Sequence, residues 1–265
     1  MDERLKKITG NGDVDALYSL LVEDPLVLER IDRLPIVDTP LHIAAAAGNT
    51  RFAMEIVTLK PSFARKLNPQ GLSPIHLALQ NGHDPTVKAM IADDTELVRV
   101  KAKGRITPLH YAAEIDNFNL LAEFLNVCPS SVEDLTVKRE TAVHIAVKNK
   151  KRKAFKVLKG WLLRNKREIL KWTDEDGNNA LHIATSTNQL QVMEMLIENV
   201  DINAMNSANL TAMDIYLLQE NSLNQKIGNV LRRAKAKTAS EITMPPVTLA
   251  DKLMILAKLQ SGDKQ

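Results

Sequence analysis

Five of the six histidines in this 265-residue chain recur at nearly equal intervals, and histidine is the commonest protein ligand for metal ions. They are His42, His76, His110, His144 and His182. Equivalent positions on neighbouring packed helices lie roughly 8–10 Å apart, whereas the ligands of one zinc ion each lie about 2 Å from it. The spacing therefore predicts that adjacent histidines do not share a metal ion.

A structural role explains the same histidines better. Each stands three residues after a Thr, Ser or Asn, which are preferred N-cap residues of helices. We expect each imidazole to hydrogen bond to the capping side chain with one nitrogen and to a neighbouring turn with the other, because buried polar groups are nearly always paired. The residues that we interpret as structural are Thr39, His42, His76, Thr107, His110, Thr141, His144 and His182.

The rest of the chain offers no catalytic or cofactor motif. It contains no glycine-rich phosphate loop, no His-Glu-x-x-His and no Cys-x-x-Cys. The single cysteine, Cys128, is interpreted as a small apolar residue of a protein from a reducing compartment. Residues Asp174 to Asp176 lack the ligand spacing of a calcium-binding loop. The sequence predicts no enzyme, no cofactor, no metal site and no small-molecule substrate.

The five histidines belong to a hexapeptide that returns a sixth time with Asp214 in place of histidine. Its first residue is suited to the N-cap, proline often follows at the first helical position, and alanine at the end leaves room for a packed neighbour. The copies start 34, 34, 34, 38 and 32 residues apart. They begin at Thr39, Ser73, Thr107, Thr141, Asn179 and Thr211.

A second stretch with apolar residues at helical spacing follows each of these helices, and turn-rich segments such as 68–71 separate the copies. The period and the hexapeptide resemble those of ankyrin repeats. The resemblance implies an all-α ankyrin-repeat solenoid of about seven helix-turn-helix repeats with β-hairpin-like fingers. We expect a repeat domain over 1–234, with capping repeats over 1–31 and 205–234. The tail, 235–265, is predicted to carry a short amphipathic helix over 248–260.

The net charge of +3 is unevenly distributed. Residues 148–171 hold 11 Lys and Arg against 1 acidic residue, whereas the segments on either side are acidic. Charge runs are usually solvated helix faces, but this excess also suits an anionic lipid surface or an acidic protein. Nucleic acid is disfavoured because interleaved aromatic residues are nearly absent. The candidate residues for contact with an anionic surface are Lys150, Lys151, Arg152, Lys153, Lys156 and Lys159.

A more particular resemblance covers nearly the whole chain and is strongest between residues 139 and 216. The segments 140–149, 154–162, 169–178 and 180–184 resemble plant ankyrin proteins of the bian da and accelerated-cell-death type. The resemblance implies a cytoplasmic ankyrin array before a C-terminal membrane domain of several helices, called PGG, acting in defence and cell-death signalling. Because the residues after 246 are too few and too polar for such a domain, we expect it to be absent here. The expected location is the cytoplasm, or the cytosolic face of the plasma membrane if a longer form carries that domain.

These features predict a non-catalytic scaffold for protein–protein interaction, which binds its partner through the concave face of fingers and inner helices. A partner with an acidic centre and a basic flank would complement the predicted face. The alternative is a cytoplasmic regulatory module of a membrane transporter or channel-like assembly, with the basic segment touching anionic lipid. The predicted partner-binding residues are Gln70, Gln80, Asn81, Lys101, Lys103, Arg105, Glu114, Lys138, Arg139, Lys148, Asp174, Glu175 and Asp176.

Overall fold

The computed structural model describes residues 3–219 and 225–243, and these are built from helices. The α-helices are α1 Glu3–Asn11, α2 Val14–Glu23, α3 Val27–Asp32, α4 Pro40–Ala47, α5 Thr50–Leu59, α6 Pro74–Gln80, α7 Asp84–Asp93, α8 Pro108–Glu114, α9 Phe118–Val127, α10 Ala142–Lys148, α11 Arg152–Asn165, α12 Ala180–Ser186, α13 Leu190–Leu196, α14 Ala212–Leu218, α15 Gln225–Arg233 and α16 Ala239–Thr243. Short 3₁₀ helices span Pro61–Arg65, Thr95–Arg99, Lys103–Arg105, Pro129–Glu133 and Arg167–Lys171.

The helices form two layers, as the repeat pattern predicted. Every copy of the hexapeptide begins an inner helix, and these stack in chain order from α4 through α6, α8, α10 and α12 to α14. Each outer helix packs against the inner helix of its own repeat, for example α5 against α4. The core lies between the layers, where the alanines of the hexapeptide allow close approach. The all-α repeated architecture is therefore confirmed.

The inner helices begin with a local hydrogen-bond cycle. The backbone N–H of His42 donates to Thr39 Oγ1 at 3.4 Å, and the backbone N–H of Thr39 donates to Nδ1 of His42 at 3.2 Å. This is a capping box in which histidine takes the place usually held by Glu or Gln. The same arrangement begins α8, α10 and α12, and Asp214 completes it in α14.

The turns between inner and outer helices link each repeat to the one before it. Nε2 of His83 lies 3.0 Å from the carbonyl oxygen of Ala46, and Nε2 of Gln189 donates to the carbonyl of Val147 at 2.6 Å. These carbonyls lie in the last turn of an inner helix, where the backbone lacks an internal partner. A side chain of the next repeat therefore satisfies the helix end.

The C-terminal part of the described array is also held by side-chain hydrogen bonds at helix ends. Thr238 and Glu241 form a further capping box at α16, with Thr238 N donating to Glu241 Oε2 at 2.8 Å. The hydroxyl of Thr211 donates to the carbonyl of Lys237 at 2.7 Å, so the first residues of the predicted tail contact the last hexapeptide. The amphipathic helix predicted over 248–260 lies outside the described residues. Within the described ranges, no helix is both long and apolar enough to cross a membrane.

Candidate functional site

The inner helices are joined by fingers whose tips are four-residue turns. We number the tips 1 to 5, at residues 68–71, 102–105, 136–139, 174–177 and 206–209. Each is closed by a backbone hydrogen bond, such as that from Thr136 N to the carbonyl of Glu140 at 3.1 Å in tip 3. Neighbouring tips are joined as well, because Val137 N donates to the carbonyl of Gly104 at 2.9 Å. Equivalent bonds join tip 1 to tip 2, tip 3 to tip 4 and tip 4 to tip 5, so the tips form one continuous row.

The last residue of every tip has a left-handed backbone conformation, including Asn209 of tip 5 at φ of 56°. Tips 1 and 4 meet this requirement with Gly71 and Gly177, at φ of 78° and 74°. Tips 2 and 3 instead carry Arg105 and Arg139, at φ of 59° and 57°. A side chain in this region costs of order 1–2 kcal/mol relative to the right-handed region, and glycine avoids that cost. The two arginines are thus retained at positions where they oppose folding.

Tips 2 and 3 are exposed and basic. Lys103, Arg105, Lys138 and Arg139 lie on them, and Lys101 directly precedes tip 2. Within residues 3–219 and 225–243, no ion pair neutralises any of these five cations. Their charges therefore remain available to a partner.

Tip 4 is acidic, but its three carboxylates do not play the same part. Glu175 and Asp176 are exposed, whereas Asp174 is half-buried. Asp174 Oδ1 accepts hydrogen bonds from Asp176 N at 3.0 Å and from Asn178 N at 2.8 Å. Asp174 therefore holds the turn in shape, while the other two carboxylates face solvent.

The inner helices contribute Gln80, Asn81, Glu114 and Lys148, all of them exposed. Lys148 makes a contact that the sequence did not predict. Its ammonium lies 2.7 Å from Oε1 of Glu140. The Glu140 side chain is 8% exposed, and its carboxylate raises the pKa of Lys148. Sequence reasoning missed Glu140. An acidic residue directly before a hexapeptide was only a weak signal, because Asp38 also precedes one copy, whereas Leu72 and Ile106 precede two others.

The histidines make the predicted contacts in three repeats and fall short in two. His42 Nδ1 lies 2.8 Å from Thr39 Oγ1, and its Nε2 lies 3.1 Å from the carbonyl of Leu72 in the next finger. His76 and His182 are arranged in the same way. Nε2 of His110 and of His144, however, has no hydrogen-bond partner among the described residues, so the expectation that every ring uses both nitrogens is wrong there.

Burial makes the other reactive side chains poor candidates for chemistry. Desolvation lowers the pKa of His42, His76 and His110 to about 4, so these rings are neutral at physiological pH. Burial also raises the pKa of the Cys128 thiol, which disfavours the nucleophilic thiolate. No group of three His, Cys, Asp or Glu side chains suited to a metal ion occurs in the described part of the chain.

Comparison with known proteins supports the repeat architecture. Residues 7–101 match the family model for ankyrin repeats in three copies, and residues 176–207 match the model for a single ankyrin repeat. These two stretches of the chain are ankyrin repeats. The folds of two solved structures agree: the ankyrin repeat domain of Bcl-3, with a TM-score of 0.66 and 22% identity over 76% of this chain and 88% of that one, and the ankyrin repeat protein EF0377, with a TM-score of 0.63 and 21% identity over 73% of this chain and 96% of that one.

A plant relative supports the more particular resemblance. Ankyrin repeat-containing protein BDA1 of Arabidopsis thaliana is 38% identical over an alignment of 251 residues that covers 92% of this chain. This match confirms the predicted similarity to bian da-type ankyrin proteins. The chain spans 59% of the length of that relative.

Most of the basic segment of this ankyrin array lies on the outer helix α11 and the residues next to it, apart from the tips, whereas Lys148 lies on α10. Helix α11 has 14 residues against 10 in α9, a difference of about one turn. Lys150 and Lys156 are exposed, whereas Lys151 and Lys159 are half-buried.

Two further cations of the segment have local partners. The guanidinium of Arg152 donates to the side chain of Gln191, and Lys153 Nζ lies 5.3 Å from the centre of the Phe118 ring. The structure thus contains two separate basic surfaces, one on tips 2 and 3 and one around α11.

Proposed function

We propose that this ankyrin array is a non-catalytic scaffold that binds a protein partner through its finger face, meaning the tips together with the exposed positions of the inner helices. The observation that carries the proposal is the set of five unpaired cations at tips 2 and 3, two of them held on left-handed backbone. Strained backbone is retained where the surrounding structure and the function require it. Left-handed backbone favours glycine over arginine at these two positions.

The charge order along the row indicates the kind of partner. Tips 2 and 3 are basic, and tip 4 presents Glu175 and Asp176. A partner surface with an acidic centre and a basic flank would match this order, and opposite charges would also speed its approach. The similarity to bian da-type proteins supports a setting in plant defence or cell-death signalling. It also supports a location in the cytoplasm or at the cytosolic face of the plasma membrane.

Affinity capture from plant tissue followed by quantitative mass spectrometry tests this proposal. The finger variant carries Lys101→Glu, Lys103→Glu, Arg105→Glu, Lys138→Glu and Arg139→Glu. The control variant carries the same number of Lys/Arg→Glu changes on the outer layer, at positions 150, 151, 152, 153 and 156. We expect the finger variant to lose partners that the wild type and the control retain. Equal partner sets for the finger variant and the wild type would refute the finger face.

A second candidate function is a regulatory module of a membrane transporter or channel-like assembly, with α11 against anionic lipid. The observation that favours it is that no acidic side chain of the described residues pairs with Lys150, Lys151, Lys156 or Lys159. Basic residues near an anionic membrane each contribute about 1 kcal/mol of attraction.

Co-sedimentation with phosphatidylserine vesicles at low salt tests this candidate, with phosphatidylcholine vesicles as the control. Lipid contact predicts binding to the anionic vesicles that is lost in the triple variant Lys151→Glu, Arg152→Glu, Lys156→Glu. Absent binding, or binding that survives the triple variant, excludes it.

A further inference from the structure

A pocket of about 330 Å³ opens on the finger face between tips 2 and 3 and helices α8 and α10. It brings together three of the predicted partner-binding residues, Glu114, Lys138 and Lys148. Its volume lies at the small end of the range for ligand pockets, so it suits one side chain of a partner better than a whole cofactor. The pocket therefore gives the finger face a specific point of recognition.

The apolar part of this pocket includes an exposed valine. Val137 is 60% exposed on tip 3, next to Ile106 and Ile145 in the pocket lining. The equivalent residues of tips 1, 2, 4 and 5 are Pro69, Lys103, Glu175 and Ser207. Burial of apolar surface is favourable by about 25 cal/mol per Å², so an incoming apolar side chain would gain from covering these three residues.

The charged residues of the pocket do not favour a cationic side chain from a partner, in addition to Lys148. The carboxylate of Glu140 already accepts from Lys148 at 2.7 Å and from the Thr136 hydroxyl at 3.3 Å. Glu114 is the remaining acid of the lining, whereas Lys138 and the neighbouring Arg105 and Arg139 are exposed and unpaired. Tips 2 and 3 beside the pocket therefore carry an excess of positive charge, whereas Asp174 and Glu175 of tip 4 act on Lys148.

We infer that this pocket receives one large apolar side chain, of leucine or phenylalanine size, from an acidic segment of the partner protein. The apolar side chain covers Val137, Ile106 and Ile145, while flanking carboxylates of the segment meet the cations of tips 2 and 3. This inference rests on the proposed function, because it names the chemistry of the partner at the same face.

Fluorescence anisotropy with the full chain and four labelled nine-residue peptides tests the inference. The peptides carry four Asp or Glu residues on each side of a central Leu, Phe, Ala or Arg. We expect the Leu and Phe peptides to bind about tenfold more tightly than the Ala and Arg peptides, a ratio within what burial of one such side chain supplies. The variant Val137→Ser should reduce this preference. Val22→Ser, at a site on α2 that is 82% exposed, is the matched control and should leave it unchanged.

The outcomes separate the inference from the proposed function. Equal affinity for all four peptides, or a preference for the Arg peptide, would overturn the pocket assignment. Absence of binding to every peptide at concentrations up to about 1 mM would overturn it as well. None of these results bears on the affinity-capture experiment. That experiment alone decides whether the finger face binds protein.

Discussion

Nε2 of His42 lies 3.1 Å from the carbonyl oxygen of Leu72, a residue in the finger of the following repeat. Because a carbonyl can only accept, Nε2 carries the proton and Nδ1 is left as the acceptor for Thr39. One neutral imidazole therefore caps its own helix and joins two repeats. His42, His76 and His182 therefore act as contacts between repeats, although their residue type alone also suits a metal ion.

Lowering the pH should destabilise the array at pH values above those at which its carboxylates become protonated. Burial holds the pKa of His42, His76 and His110 at about 4, whereas the unfolded chain protonates its histidines near the ordinary value of about 6.5. Stability is therefore complete above about pH 6.5 and falls toward pH 4, by about 1.4 kcal/mol per pH unit for each such histidine. Urea unfolding at pH 7.5, 6 and 5 measures this slope. An unfolding free energy that stays constant over that range would contradict the account.

Removal of His76 should cost more stability than removal of His110. Both rings are buried and both contact a capping side chain, but Nε2 of His76 lies 3.1 Å from the Ile106 carbonyl of the next repeat. Nε2 of His110 has no partner among the described residues, and its Nδ1 accepts only a local hydrogen bond, from Thr107 N at 3.2 Å. His76→Ala should therefore be the more destabilising by about 1 kcal/mol, the value of one hydrogen bond. Comparison of the two urea midpoints checks this. The reverse order would show that the inter-repeat bond contributes little.

Arg139→Gly should separate stability from binding. Arg139 has a φ of 57°, so glycine relieves the backbone and should raise the free energy of unfolding by up to about 1 kcal/mol. The same change removes a tip cation and should weaken capture of the partner. Lys150→Gly, at the same φ of 57° but in the turn between α10 and α11, is the matched control. It should stabilise the array and leave partner capture intact; equal losses of capture would argue against a special role for the tips.

The Lys148–Glu140 pair should show coupling in a double-mutant cycle. Lys148→Met leaves the carboxylate of Glu140, whose side chain is 8% exposed, without its strongest partner. We expect a cost of about 1–2 kcal/mol, below that for a fully buried pair because Lys148 is 50% exposed. Adding Glu140→Gln should recover part of the loss. Additive effects in thermal or urea unfolding would show that the pair does not stabilise the array.

The fold follows from the sequence because its signals are local. The cap at Thr39, the histidine three residues later and the interval to Ser73 lie within one repeat of each other, and they define where each inner helix begins. The capping box of Thr238 and Glu241 carries a similar local signal, with an acidic residue three positions after a threonine, yet the sequence analysis placed those residues in a tail.

The finger face was less predictable because its properties depend on contacts between repeats. The left-handed backbone of Arg139, the pairing of Lys148 with Glu140 and the exposure of Val137 arise when neighbouring fingers and helices pack. The charge count along the sequence singles out residues 148–171, whereas the structure adds a second group of exposed cations on tips 2 and 3, within a segment that is acidic in composition. Residue types identified the candidates, and packing decided which of them act together.

Site-specific photo-crosslinking in plant cells is the most direct test of the finger face. A photoreactive amino acid replaces Lys103 on tip 2 or Lys138 on tip 3, and a control carries it at Lys156 on α11. All three side chains are exposed, so accessibility does not distinguish them. The account predicts discrete protein adducts from positions 103 and 138 and none from position 156. Adducts from position 156 alone would contradict it.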